Sequence, residues 1–100
     1  MKGWLHMDKK TRAEIIIRGK VQGVFFRVET QKAAKRIGGV SGWVRNKADG
    51  SVQAVCEGDE ANIQSMIKWC NTGSPSSRVD DVEVVWKDYS GKFDGFEITY

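Results

Sequence analysis

The stretch AEIIIRGKVQGVFFR, Ala13 to Arg27, decides how the chain is read. Its isoleucines, Ile15 to Ile17, are β-branched and suit a pleated surface, and Gly19 follows closely, so Ala13–Arg18 reads as a first strand. From Phe26 onward, apolar and small residues fall at Phe26, Thr30, Ala33, Ala34 and Ile37, the spacing of one helix face, until Gly38 and Gly39 stop the pattern. Between strand and helix lies GKVQGVFFR, Gly19 to Arg27. Such a loop is either an ordinary turn or a cradle that points backbone N–H groups and one guanidinium at an anion.

Outward from this unit, Val40–Asn46 and Ser51–Glu57 are strand-like runs joined by NKADG, whose Asp49-Gly50 pair supports a tight reversal. Asp59 is then expected to cap a helix with Ile63, Met66, Ile67 and Cys70 on its apolar stripe, ended by Gly73-Ser74-Pro75. SPSSR reads as the connection to a strand in which VDDVEVVWKD sets Val82, Val84 and Trp86 on one face. Phe96, Ile98 and Tyr100 alternate in a short last strand. The order is βαββαβ with an added strand, an α+β, ferredoxin-like α/β sandwich with two helices on one face of a four- to five-stranded, mostly antiparallel sheet. Many unrelated functions use that arrangement, so the site must be argued separately.

One hundred residues make one domain, able to bury roughly 60 to 65% of its unfolded surface without metal or disulfide support. No apolar run approaches the length that spans a bilayer, so no membrane association is expected. A net charge of +3, with 16 basic residues interspersed among 13 acidic ones, weakly favours an anionic partner and does not call for nucleic acid. Cys56 and Cys70 lack metal-ligand spacing and fall where core residues belong, so they are expected as neighbouring, reduced packing thiols in a cytoplasmic monomer. Trp43, Trp69 and Trp86 are expected to pack structurally, and Glu29 to sit on a solvated helix position. Residues 1–10 show no periodicity and are set aside as an N-terminal extension, with His6-Met7 resembling a cloning junction; residues 11–100 form the domain.

Within GKVQGVFFR, Gly19 and Gly23 permit a tight path, and Arg27 lies where a planar fork can pair two oxygens of a phosphate or carboxylate. In GWVRN, Gly42 to Asn46, the Asn46 amide carries both a donor and an acceptor, which suits it either to a turn or to orienting a water molecule.

These stretches resemble a known family. GKVQGVFFR matches the acylphosphatase signature G-x-V-Q-G-V-x-F-R, and GWVRNKADGSVQAVCEG matches its second signature, G-W-V-[RK]-N-x3-G-x-V-x5-G, without a gap. The resemblance extends over about residues 12 to 100, through SPSSRVD and the final FEITY. It implies a ferredoxin-like sandwich, a small acyl-phosphate substrate and no cofactor or metal. It further implies that the backbone N–H groups of Lys20, Val21, Gln22, Gly23, Val24 and Phe25 bind the phosphoryl group, that Arg27 holds its oxygens, and that Asn46 positions the attacking water.

The chemistry agrees with that implication. An acyl phosphate releases a carboxylate whose conjugate acid has a pKa of about 4, so no proton donor is needed for the leaving group. An alkyl phosphate would instead call for a positioned acid, a metal or a nucleophile, and the domain offers no histidine and no C-x5-R loop. Two rival readings are a phosphate- or nucleic-acid-binding ferredoxin-like module and a carbamoyl-phosphate-handling domain of a larger assembly such as hydrogenase maturation. Against an RNA-binding module, the strand SVQAVCEG has none of the spaced aromatics on which bases stack. Against the maturation assembly, the chain has no zinc-finger cysteines and nothing after Tyr100. Acetyl phosphate, carbamoyl phosphate, 1,3-bisphosphoglycerate and β-aspartyl phosphate share the reactive group, and the sequence does not choose among them.

Overall fold

Alternation along the first strand sets the plan of the molecule: Ala13, Ile15 and Ile17 have no exposed surface, while the residues between them turn to the other face. The structure is a computed structural model and describes residues 9–100. The 1–10 extension and its His6-Met7 junction therefore lie, apart from Lys9 and Lys10, outside the described residues. Strand β1 spans Lys10–Lys20 and is followed by α1, Phe26–Ile37, then β2, Ser41–Asn46, and β3, Val52–Asp59. Next come α2, Glu60–Thr72, β4, Arg78–Lys87, and β5, Phe96–Ile98. The sheet order is β4-β1-β3-β2-β5, antiparallel throughout except for the β2–β5 pair.

The two helices pack on one face of this five-stranded sheet, the ferredoxin-like α+β arrangement. Their contribution to the core comes from Phe26, Ala33 and Ala34 of α1 and Ile63, Met66 and Cys70 of α2. Burying a side chain the size of Phe26 or Ile15 stabilises the fold by about 2 kcal/mol. Trp69 reaches across from α2 to set its ring 5.3 Å from that of Phe26, tilted by 58°. Cys56 and Cys70 are free thiols with no exposed surface, joined in the same core cluster. No helix among the described residues is long and apolar enough to cross a membrane.

Helix α1 occupies the span that the spacing predicts, and several edges differ. β1 starts at Lys10 because polar residues extend the central strand: Lys10, Thr11 and Arg12 pair with Asp59, Gly58 and Glu57. Asp59 stands at the N-cap position of α2, but its side chain makes no cap hydrogen bond and instead accepts one from Lys10 Nζ at 3.0 Å. Trp86 is 44% exposed and not packed as expected. It lies near the end of β4, an edge strand with a neighbour on one side only, where Val82 and Val84 reach the core and Trp86 does not. The last strand stops at Ile98, and Tyr100 is 94% exposed. Trp43 is half-buried on the sheet, with the Arg45 guanidinium 5.6 Å from its ring.

Two glycines let neighbouring backbones meet. At Gly19 (φ 136°) a Cβ would fall on the carbonyl oxygen of Arg78, and at Gly42 (φ 136°) on that of Val55. The conformation and the lack of space both exclude larger residues, so β1 runs into the loop beside β4, and β2 closes on β3.

Candidate active site

The loop between β1 and α1 is held from three sides before its open side meets solvent. Val21 and Val24 are buried anchors in the core. The Gln22 amide donates from Nε2 to the carbonyls of Lys47, at 2.7 Å, and Ser51, at 2.9 Å, both in the β2–β3 hairpin. Ser74, just after α2, donates its hydroxyl to the Val24 carbonyl at 2.8 Å in a buried bond. Gly23 (φ 75°) and Phe25 (φ 61°) take the left-handed conformations that the path requires, and Phe25 is the one non-glycine residue among those described to do so.

Helix α1 begins directly after Phe25 without a side-chain cap. Its first-turn N–H groups therefore have no intrahelical acceptor, and the positive end of its dipole faces the loop. Among the described residues, no backbone N–H from Gln22 to Arg27 donates to a loop, turn or side-chain acceptor. These N–H groups are the donors that the sequence pattern assigns to an anion cradle.

A cleft of about 260 Å³ opens there, and Val21, Gly23, Arg27 and Asn46 all line it. The Arg27 guanidinium lies over the Tyr100 ring, 4.9 Å from its centroid. A guanidinium pairs two oxygens of an anion through the N–H groups in its plane. Asn46 ends β2 opposite Val52, and no side-chain hydrogen bond engages its amide among the described residues. The hairpin that follows is braced by Asp49, whose carboxylate accepts from both the N–H (2.9 Å) and the hydroxyl (2.6 Å) of Ser51. Those bonds from Ser51 hold the Asp49 carboxyl below its ordinary value.

Each residue singled out in the sequence has a definite place. Arg27, Asn46, Val21, Gly23 and Phe25 meet at the cleft. Lys20 ends β1 opposite Arg78, with its side chain exposed, and Val24 turns its side chain inward. Gln22 directs its side chain at the hairpin carbonyls, away from any part in the cleft lining. Tyr100, Val28 and Ile98 were not foreseen as lining residues. The only sign of Tyr100 and Ile98 is their alternation with Phe96, which reads as a strand and not as a wall of a cleft.

Known proteins match this chain closely. The family model described as Acylphosphatase matches residues 13–98. An acylphosphatase of Syntrophobacter fumaroxidans is 52% identical over 94 residues, covering 94% of this chain and 95% of that protein. The crystal structure of acylphosphatase from Bacillus subtilis superimposes with a TM-score of 0.85 at 37% identity, over 90% of this chain and 99% of that one. A structure of full-length HypF in its phosphate- and nucleotide-bound form gives a TM-score of 0.78 at 25% identity, and the match covers 92% of this chain but only 12% of that chain.

Proposed function

The chain belongs to the acylphosphatase family and is an enzyme that hydrolyses acyl phosphates, and from that premise we propose how its residues share the work. The backbone N–H groups of Lys20 to Phe25 surround the phosphoryl oxygens, and the Arg27 fork pairs two of them. The Asn46 amide accepts a hydrogen bond from a water molecule and aims its oxygen at phosphorus. That oxygen forms a bond to phosphorus while the bond to the carboxyl oxygen breaks. The electron pair leaves with the carboxylate, and the protons of the water stay with the phosphate. The protein's contribution is positioning and the stabilisation of charge on the equatorial oxygens, as expected for phosphoryl transfer with little covalent involvement of the enzyme.

The observation that carries this reading is the meeting of Arg27, Asn46 and the uncapped start of α1 in one cleft, although Asn46 comes from a different hairpin. The test is hydrolysis of benzoyl phosphate with EDTA present, by the wild type, Arg27→Ala and Asn46→Ala. Loss of Arg27 is expected to lower kcat/KM by a factor that corresponds to about 3 kcal/mol or more and to weaken inhibition by inorganic phosphate. Loss of Asn46 is expected to lower kcat while inhibition by phosphate persists. An unchanged kcat/KM in Arg27→Ala, or an effect of Asn46→Ala on KM alone, defeats the respective assignment.

A further inference from the structure

SPSSR, which in sequence reads as a connection between helix and strand, sets one buried hydroxyl against the β1–α1 loop. Helix α2 ends where the Gly73 N–H donates to the Trp69 carbonyl at 2.8 Å. The next turn closes on the Ser74 carbonyl, which accepts from the Ser77 N–H at 3.0 Å and the Ser77 hydroxyl at 2.7 Å. Ser74 is thus fixed through its own backbone, with 3% of its surface exposed. Its hydroxyl donates at 2.8 Å to the carbonyl of Val24, 50 residues earlier in the chain. Among the described residues, no loop or turn N–H donates to that carbonyl, and the Ser74 hydroxyl is what holds it.

Val24 and Phe25 share one peptide plane, and it is trans. The carbonyl and the N–H of a trans peptide point in opposite directions. A Val24 carbonyl held toward Ser74 therefore turns the Phe25 N–H the other way. Rotation of this plane changes ψ of Val24 and φ of Phe25, and little else. Phe25 has φ 61°, which a non-glycine residue rarely takes, and half a turn of the plane would return φ to negative values. Its own carbonyl is held by the Glu29 N–H at 3.0 Å, so the peptide that follows is fixed by the helix. The backbone at Phe25 thus favours the reversed plane, and a conformation of this kind persists only where surrounding bonds enforce it.

Resting on the assignment of the loop N–H groups to the phosphoryl group, we infer that Ser74 is a positioning residue: its hydrogen bond holds the Val24–Phe25 peptide in the orientation that gives the Phe25 N–H to the phosphoryl oxygens. With the plane reversed, the Val24 carbonyl oxygen would face the anion in place of a donor. The reversal removes one charge-assisted hydrogen bond and sets a lone pair against the negative oxygens. Gln22 ties the loop to the hairpin, whereas Ser74 sets the direction of a donor within the loop.

The test follows the amide proton shifts of the loop by NMR during titration with inorganic phosphate, and the inhibition of benzoyl phosphate hydrolysis by phosphate. The proteins compared are the wild type, Ser74→Ala and the double variant Ser74→Ala with Phe25→Gly. In the wild type the Phe25 amide proton is expected to move downfield as phosphate binds. In Ser74→Ala that response is expected to be lost while Gly23 still responds, and the inhibition constant is expected to rise on the order of 10-fold, the size of one hydrogen bond to a charged group. Glycine takes a positive φ without strain, so the double variant is expected to return to within about 3-fold of the wild-type constant. A general loosening of the fold by Ser74→Ala would not be repaired by a second change to glycine. An inhibition constant unchanged in Ser74→Ala, or a rise that Phe25→Gly leaves in place, overturns the positioning role. So does a wild type in which other loop amides respond to phosphate and Phe25 does not, a result that needs no variant to fold. If no loop amide of the wild type responds, the assignment of the loop to the phosphoryl group fails, and the inference with it.

Discussion

A carboxylate with no exposed surface needs a donor for each lone pair it turns inward, and Glu57 is such a residue. Its Oε2 accepts from the Ser90 hydroxyl at 2.8 Å and the Ser90 N–H at 3.0 Å, and its Oε1 from the Gly91 N–H at 3.0 Å. Arg12 Nη1 lies 3.4 Å from the same carboxylate, and its guanidinium extends over the Phe93 ring. Burial works to raise the Glu57 carboxyl, but the Ser90 and Gly91 donors together with Arg12 outweigh it and leave the group below its ordinary value. A carboxyl depressed in the folded state contributes its stability in full above the unfolded value, about 4.3 for Glu, and loses it as pH falls through the lower folded value. Glu57→Gln is therefore expected to cost about 2 kcal/mol near neutral pH, or about 10 °C in Tm, and less at about pH 3. Thermal unfolding of both proteins at the two pH values measures this. Equal Tm differences at both would show that the charge of Glu57 does not hold the connection between β4 and β5. Nothing in the local sequence discloses this role, because the partners of Glu57 lie more than thirty residues away and two of them are backbone N–H groups.

At the scale of elements, the proposed catalytic geometry depends on how the β1–α1 loop is fixed to the β2–β3 hairpin. The two carbonyls that receive Gln22 also close the hairpin, since Lys47 O accepts from the Gly50 N–H and Ser51 O from the Lys47 N–H. Gln22→Ala leaves both in place and removes the tie between the units. On the roles proposed above, the expected result is a kcat lowered on the order of 10-fold with inhibition by phosphate largely kept, because the loop N–H groups and Arg27 would remain while the register between phosphorus and a water held by Asn46 would be lost. Steady-state kinetics with phosphate as competitive inhibitor separates the two. A fall in phosphate affinity as large as the fall in kcat would show that the loop itself had collapsed. The strand, loop and helix from Ala13 to Arg27 were legible in sequence because each follows a local rule: β-branched residues, then glycines, then a helical apolar spacing. The cradle-to-hairpin tie was not, because it joins a side chain to backbone carbonyls 25 and 29 residues away. The polar start of β1 was missed for a related reason, since Lys10 to Arg12 belong to the strand by pairing with β3 and not by apolar alternation.

For the molecule as a whole, the ordering of helices and strands in sequence was enough to give two helices on one face of the sheet, because buried residues recur with the period of each element. The exposed end of β4 shows the limit of that reasoning: alternation names the face on which Trp86 stands, and only the sheet order reveals an edge. The cleft is likewise a property of the assembled fold, formed where the start of α1, the end of β2 and the residues around β5 converge. The buried thiols carry a consequence of this assembly. One sits on β3 and the other on α2, so both are shielded only while helix and sheet stay together. Burial pushes each above its ordinary value, Cys70 to about 12, and so suppresses the reactive thiolate. An alkylating reagent should then report on separation of the layers as a clock: in the native protein both cysteines should be modified at one slow rate that rises with denaturant as global unfolding does. Labelling of both cysteines faster than global unfolding allows would instead reveal that α2 lifts from the sheet while the rest of the molecule stays folded.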